Sequence, residues 1–332
     1  MGVRIGLNGF GRIGRYMARL LAGNEELELV AVNARSDNES LAHLLKYDSV
    51  HGTFSGQVEA NDKGFLLQGK QVLVFNQEAG KWNWGELGID ILLETTGKFT
   101  DRKSCEQHLE CGAKRVLISA PGKNPDLTVV VGINDHELKP EHKIISNASC
   151  TTNCLAPTAK VVHENFGLER GVMTTVHSYT MSQRILDGSH KDLRRARAAC
   201  MSMLPTTTGA AKAVTEVVPE LKGKLQGMAV RVPTPNVSIV DLTADVAKST
   251  SVEELNRAMQ EASQDKLKDV LDYREEPLVS VDYLGSTYGG IVDAPSTLVI
   301  DGTLIKLIVW YDNESGFSNQ LLRLSKKVAS MM

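Results

Sequence analysis

The chain has 332 residues, 42% hydrophobic and 23% charged, with a net charge of −3. That length suits two domains, and the composition is that of a globular fold rather than a disordered chain. Near-neutral charge argues against nucleic-acid binding as a primary role, and no apolar run approaches the roughly 20 residues that cross a bilayer, so no membrane partner is expected.

The first third alternates strand and helix patterns. Met1–Leu7 enters an alternating strand directly, without the apolar core of a signal peptide. Arg4–Asn8 reads as a buried strand, Ile13–Ala22 as a helix and Leu27–Asn33 as a second strand. Ile89–Glu94, Arg115–Ser119 and Thr128–Val131 are short apolar runs of the kind found in buried parallel strands. Near residue 150 the texture changes. Longer strands are predicted at Gly171–Tyr179, Leu225–Val232 and Val237–Ala244, and Asp301-Gly302 reads as a hairpin turn between Thr297–Ile300 and Thr303–Tyr311. Helices are predicted at Thr151–Phe166, Gly209–Val218, Val252–Ser263 and Ser318–Met331. The fold class is therefore α/β: a Rossmann-type, doubly wound parallel sheet, followed by an α+β domain with a mostly antiparallel sheet. The expected boundaries are a dinucleotide-binding domain at 1–149 and a catalytic domain at 150–315. The C-terminal helix, 316–332, is free to pack on either.

Five cysteines, an odd number, do not read as a disulfide framework and point to the reducing cytoplasm. Without Cys-x-x-Cys or HExxH spacing, no metal site is expected.

Gly9-Phe10-Gly11-Arg12-Ile13-Gly14 is a GxGxxG sequence that follows a strand and opens a helix. Its glycines permit a tight turn, and the helix start offers free N–H groups to a pyrophosphate. An acid normally ends the second strand and binds the ribose hydroxyls of NAD. Here the strand ends Asn33-Ala34-Arg35-Ser36, and Arg35 with Ser36 suits the 2′-phosphate of NADP. Asp37, one step further on, is the alternative source of an acid.

Ser149-Cys150-Thr151-Thr152-Asn153-Cys154 lies between an extended stretch and a helix. A cysteine at a helix N-terminus gains thiolate character from the dipole and the free amides. Cys154, one turn later, reads as core, with a Cys150–Cys154 redox pair as the alternative.

Asn147–Pro157 (NASCTTNCLAP) resembles the active-site signature of phosphorylating glyceraldehyde-3-phosphate dehydrogenases. Segments resembling the same family follow in order along nearly the whole chain: Leu7–Gly14, His43–Gly52, Thr175–Arg184, Lys191–Ala199, Pro205–Val214, Arg231–Ser238 and Trp310–Glu314. The resemblance implies reversible oxidation of glyceraldehyde 3-phosphate to 1,3-bisphosphoglycerate. Cys150 would form a thiohemiacetal and then a thioester, and inorganic phosphate would release it. His177 would be the base, its imidazole lowering the thiol pKa. Thr180 and Arg231 would hold the substrate phosphate; Ser149, Thr151, Thr208 and Gly209 the attacking one. Gly9, Gly11, Arg12, Ile13, Gly14, Ala34, Arg35, Ser36, Ser119, Ser189 and Asn313 would line the cofactor, with Asn313 on the nicotinamide carboxamide. The resemblance also implies a homotetramer, with the Arg194–Arg197 stretch in an interface loop.

Several positions depart from the family pattern. Ala34 stands where NAD-specific members usually carry Asp, and Ser189 where they carry Pro. Serine there resembles the NADP-using plastid enzymes, so the expected cofactor is NADP, with NAD as a second. Ser182 replaces a common Asp beside the substrate-phosphate site, and Ser315 a usual Trp with no clear consequence. Erythrose-4-phosphate dehydrogenase shares this framework and is the same-class alternative. A cofactor- or RNA-binding scaffold is the alternative outside catalysis, and it would need neither Cys150 nor His177.

Overall fold

The computed structural model describes residues 2–332; Met1, where the N-terminal strand reading starts, lies outside the described residues. The described chain forms two compact units. The first contains the residues up to Val129, Asp135–Ala148 and Leu321–Met332; the second contains Val130–Asn134 and Ser149–Gln320.

The first unit carries β1 (Val3–Asn8), α1 (Arg12–Leu21), β2 (Leu27–Asn33), α2 (Asn38–Lys46), β3 (Val58–Asn61), β4 (Gly64–Leu67), β5 (Lys70–Phe75), β6 (Ile91–Glu94), α3 (Arg102–Glu110), β7 (Arg115–Ile118), β8 (Leu127–Thr128) and β9 (Ile144–Ser146). Among the described residues these strands form one sheet in the order β3-β4-β5-β2-β1-β6-β7-β9-β8. From β5 to β8 every neighbour is parallel. The doubly wound expectation holds there, with an antiparallel meander, β3-β4-β5, added at one edge. All four residues of β6 and of β7 are buried, as in a sheet covered on both faces. The sheet's core packs Trp82, Trp84, Leu92, Val116 and Ile118 together. The chain leaves β1 for β2 on one side and reaches β6 on the other. The carboxyl ends of β1 and β6 therefore flank a topological switch point, the place where such sheets bind ligands.

One predicted strand is shorter than expected. The Thr128–Val131 run is ladder only through Thr128. Its valines are buried in a turn closed by Ile133 N to Val130 O at 3.0 Å, just before Gly132 at φ +84°.

The second unit carries α4 (Cys150–Phe166), β10 (Leu168–Ser178), β11 (Leu204–Thr206), α5 (Ala210–Val217), β12 (Leu225–Val232), β13 (Ser238–Val246), α6 (Val252–Gln264), β14 (Leu271–Arg274), β15 (Gly290–Asp293), β16 (Leu298–Ile300) and β17 (Leu304–Tyr311). Its sheet runs β11-β12-β10-β13-β17-β15-β14, with β16 paired to β17. It is mostly antiparallel; β10–β12 and β14–β15 are parallel. β13 alternates buried and half-buried residues along its whole length, the mark of a sheet with one covered face. α4 lies against β10, β13, β15 and β17 and is buried nearly all round, as expected of a central helix. Asp301 and Gly302 both take positive φ, which closes the predicted β16–β17 hairpin. α7 (Ser315–Ala329) begins in the second unit, and its residues from Leu321 on belong to the first. Among the described residues no helix is long and apolar enough to cross a membrane.

Candidate active site and cofactor cleft

In the first unit a cleft of about 470 Å³ opens at the carboxyl ends of β1, β2 and β6. It is lined by Gly9, Gly11, Ala34, Arg35 and Ser36 from the predicted set, and by Gln77, Trp82 and Thr96, which the sequence reading missed. Gly9 sits at φ +97°, a conformation glycine alone adopts without strain. A Cβ on Gly14 would come within 2.5 Å of the Gly9 carbonyl oxygen, so the loop packs only as glycine. A Cβ on Gly11 would meet nothing within 4 Å, which leaves room for a ligand against the backbone. α1 starts at Gly11 with no side-chain cap and no acid in its first turn, so its leading amides and dipole suit an anion. The cleft therefore fits a dinucleotide.

Asp37 does not line this cleft. It caps α2, accepting from Ser40 N at 2.8 Å and from the Ser40 hydroxyl at 2.7 Å, and those bonds lower its pKa. The Arg12 guanidinium turns to Asp48, so what Arg12 offers the loop is its backbone. Burial works against the Asp48 carboxylate, but Arg12 and the His51 and Val50 amides hold it well below the usual range. Ser119 follows β7, its amide bonded to Glu94 O at 3.0 Å. Beneath the cleft is a buried chain that no motif announced. Asn33 Nδ2 donates to Asn8 Oδ1 at 2.8 Å, Asn8 Nδ2 to Glu94 at 2.6 Å, and Glu94 lies 3.3 Å from His108 Nε2. It ties together the ends of β1, β2 and β6.

In the second unit Cys150 is the first residue of α4, capped by Ser149, whose hydroxyl accepts from Thr152 N at 3.0 Å. The sulfur is 3.5 Å from His177 Nε2. His177 is next to last in β10 and faces Arg231 across the parallel β10–β12 ladder. The Ser178 carbonyl accepts from His177 Nδ1 at 2.7 Å and from Arg231 Nη1 at 2.8 Å. With its hydrogen on Nδ1 the imidazole serves that carbonyl and leaves Nε2 as a lone pair toward the sulfur; in the other tautomer Nδ1 accepts from Arg231 Nη1 at 2.6 Å.

The charge state differs from the sequence expectation. Burial pushes the Cys150 thiol up, against the opposing pull of the Arg231 guanidinium. Burial and Arg231, 2.6 Å from Nδ1, push His177 down to about 3. The resting pair is therefore a thiol and a neutral imidazole. The helix start and the imidazole do not outweigh desolvation. Cys154 is wholly buried, its thiol pushed well up by burial, and bonds to the Val309 carbonyl at 3.8 Å, as the core reading expects.

Around this pair lie several of the predicted anion residues. Arg231 Nε is buried without a hydrogen-bond partner among the described residues, as an anion-binding donor would be. Arg195, part of the cluster assigned to an interface, also lowers the His177 pKa through its charge. Thr151 is adjacent to the cysteine, but its hydroxyl meets Tyr311 at 2.8 Å, and Tyr311 meets Thr175 at 2.8 Å. Thr180 follows β10 and bonds to the Ser182 hydroxyl at 2.9 Å. Thr208 receives Ala210 N at 3.2 Å, beside Gly209 at the start of α5. Among the described residues Thr180, Thr208 and Gly209 make no hydrogen bond to Cys150 or His177. Ser189 is exposed and gives its carbonyl to Arg184 at 2.9 Å. The Asn313 amide oxygen accepts from Ser178 at 2.7 Å and from Ser238 at 2.9 Å. Sequence reasoning missed Ser178, Ser238 and Tyr311; the first adjoins His177 and the last lies two residues before Asn313.

Comparison with known proteins agrees with this geometry. Residues 3–102 match the family model described as glyceraldehyde 3-phosphate dehydrogenase, NAD binding domain, and residues 149–313 the one described as its C-terminal domain. The chain is 57% identical over 332 residues to the glyceraldehyde-3-phosphate dehydrogenase of Geobacillus stearothermophilus, covering 99% of both. It is 54% identical over 322 residues to that of Thermotoga maritima, covering 96% of this chain and 97% of the relative. It is 52% identical over 332 residues to glyceraldehyde-3-phosphate dehydrogenase 2 of Trichormus variabilis, covering 98% of both.

Proposed function

The chain belongs to the glyceraldehyde-3-phosphate dehydrogenase family, and from that premise we propose that it oxidises glyceraldehyde 3-phosphate with inorganic phosphate through Cys150 and His177, using NADP and, second to it, NAD. The observation that carries the chemistry is the 3.5 Å approach of the Cys150 sulfur to His177 Nε2. The thiol passes its proton to Nε2 as the sulfur adds to the aldehyde carbon, and His177 returns that proton to the oxygen of the thiohemiacetal. When bound, the nicotinamide accepts hydride. As the C–H bond breaks, His177 takes the hydroxyl proton and a thioester remains on Cys150. A phosphate oxygen then attacks the thioester carbon, and the sulfur departs and regains its proton from His177. Arg231, with its unpartnered Nε, is the substrate-phosphate cation together with Thr180; Ser149, Thr151, Thr208 and Gly209 receive the attacking phosphate. Asn313 anchors the carboxamide. The first unit serves as the cofactor domain, the second as the catalytic one.

Two features support NADP. Arg35 and Ser36 line the cleft where an acid would repel a 2′-phosphate, and Asp37 is committed to capping α2. The rates that decide the cofactor are those with NADP and NAD at saturating aldehyde and phosphate. Arg35→Asp with Ser189→Pro is expected to move the kcat/KM ratio toward NAD by about 100-fold, the worth of one or two charge-assisted bonds. An unchanged ratio would remove these residues from cofactor choice.

A homotetramer is part of the same reading. Val172, Met228, Leu298 and Ile300 are exposed apolar residues on strands of the second unit's sheet, 62%, 42%, 53% and 56% accessible, and are candidates for subunit contact. Sedimentation is expected at four chain masses; a monomer would refute the assembly. Five free cysteines and no disulfide among them support the cytoplasm as its place.

A further inference from the structure

We propose that Ser178 and Ser238 are positioning residues that hold the Asn313 amide in one orientation, with Nδ2 presented as a preset donor for the cofactor's carboxamide; this rests on the reading of Asn313 given above. Ser178 ends β10 and Ser238 begins β13, on adjacent antiparallel strands, and both are fully buried. Hydrogen accounting fixes the arrangement. The Ser238 hydroxyl accepts from Ser178 N at 3.1 Å, and of the two acceptors in its reach, Asn313 Oδ1 at 2.9 Å and the Ser178 hydroxyl at 3.3 Å, the amide oxygen is the nearer. The Ser178 hydroxyl donates to the same oxygen at 2.7 Å. Both lone pairs of the amide oxygen are then filled by buried donors, and no hydrogen is left over.

Turning the amide over would set its NH₂ group against two hydroxyls. One serine hydrogen could turn to the other hydroxyl at 3.3 Å, but the second would lose its acceptor in a fully buried place, the costly case for a polar group. Asn313 Nδ2 has no partner in the described chain and is left as the outward donor. The neighbouring backbone is pinned as well. Asp312 accepts from Asn236 Nδ2 at 2.8 Å, from Glu314 N at 2.9 Å and from Ser315 N at 2.7 Å, which fixes the turn that carries Asn313. The Ser178 carbonyl meanwhile faces both His177 Nδ1 at 2.7 Å and Arg231 Nη1 at 2.8 Å.

Equilibrium binding separates this role from a merely structural one. Tryptophan fluorescence titrations would compare NADP with 2′-phospho-ADP-ribose, which lacks the nicotinamide, and NAD with ADP-ribose as a second pair. Ser178→Ala, Ser238→Ala and the double variant are to be measured beside Asn313→Ala. The double variant is expected to bind the dinucleotides about tenfold more weakly and both ribose ligands as wild type does, with each single variant between. Equal weakening of both ligand types, or of neither, would overturn the proposal. If Asn313→Ala loses the nicotinamide-specific part while the serine variants keep it, the serines have no positioning role and the anchor stands. If Asn313→Ala itself binds both ligand types as wild type does, the assignment of Asn313 fails, and this inference with it.

Discussion

Cys150→Ser is expected to lose aldehyde oxidation by about 10⁴-fold or more while binding cofactor as wild type does. A hydroxyl has the size to occupy the first position of α4 and to keep the Ser149 cap, so the fold tolerates the change. What it lacks is the acidity of a thiol and the leaving ability of a thiolate. The resting state makes the test sharp. Burial holds the thiol as S–H, and the proton must cross 3.5 Å to a neutral Nε2 as the carbon–sulfur bond forms. Serine, far less acidic and a poorer leaving group, follows that route far more slowly at neutral pH. Single-turnover absorbance of the reduced cofactor at limiting enzyme reads the loss directly, and fluorescence titration reads cofactor binding. Hydride transfer at near wild-type rate in this variant would rule out the thioester route.

The sequence carried the fold wherever a residue pattern has a single physical meaning. β2 and β12 have the predicted bounds, and the Asp301-Gly302 turn sits where two positive φ angles were needed. The β3-β4-β5 meander did not show, because its three short strands carry no regular alternation: β3 has no buried residue and β4 buries three of its four. α3 was missed for a related reason. Its buried face amounts to Cys105 and His108, too few apolar positions to mark a period. At the site, Cys150 and His177 were legible through motif, whereas the neighbours that define their chemistry were not. Ser178, Ser238 and Tyr311 act through hydrogen bonds that join β10, β13 and β17, and sheet register is a property of pairing rather than of local sequence. The burial that opposes thiolate character at Cys150 was not legible on the same account. The helix start is local and readable; the desolvation that outweighs it comes from how the whole unit closes over the pair.

His177→Asn should lower kcat by about 10³-fold, within the usual range for a positioned general base, and should also alter how stability depends on pH in a direction that can be worked out. The imidazole titrates near 6.5 in the unfolded chain and at about 3 in the folded one, because burial and the adjacent Arg231 guanidinium both oppose a second positive charge. Between those values the unfolded state binds the proton and the folded state does not, so stability rises with pH across the window. The contribution is fully present above 6.5 and is lost as pH falls toward 3. From pH 7 to pH 5 wild type therefore gives up about 2 kcal/mol at this one site, which asparagine, having no proton to gain, does not. Urea unfolding of both proteins at the two pH values measures the difference. The variant starts less stable at pH 7 by whatever packing and bonding it loses, but its further decline to pH 5 should be smaller than that of wild type by that amount. Parallel declines would mean that His177 takes its proton in the folded protein as readily as in the unfolded one, and a smaller decline in wild type than in the variant that it already carries that proton at neutral pH. An imidazole already carrying its proton could not accept one from Cys150, and the direction of proton transfer argued for the thiol would have to be reversed.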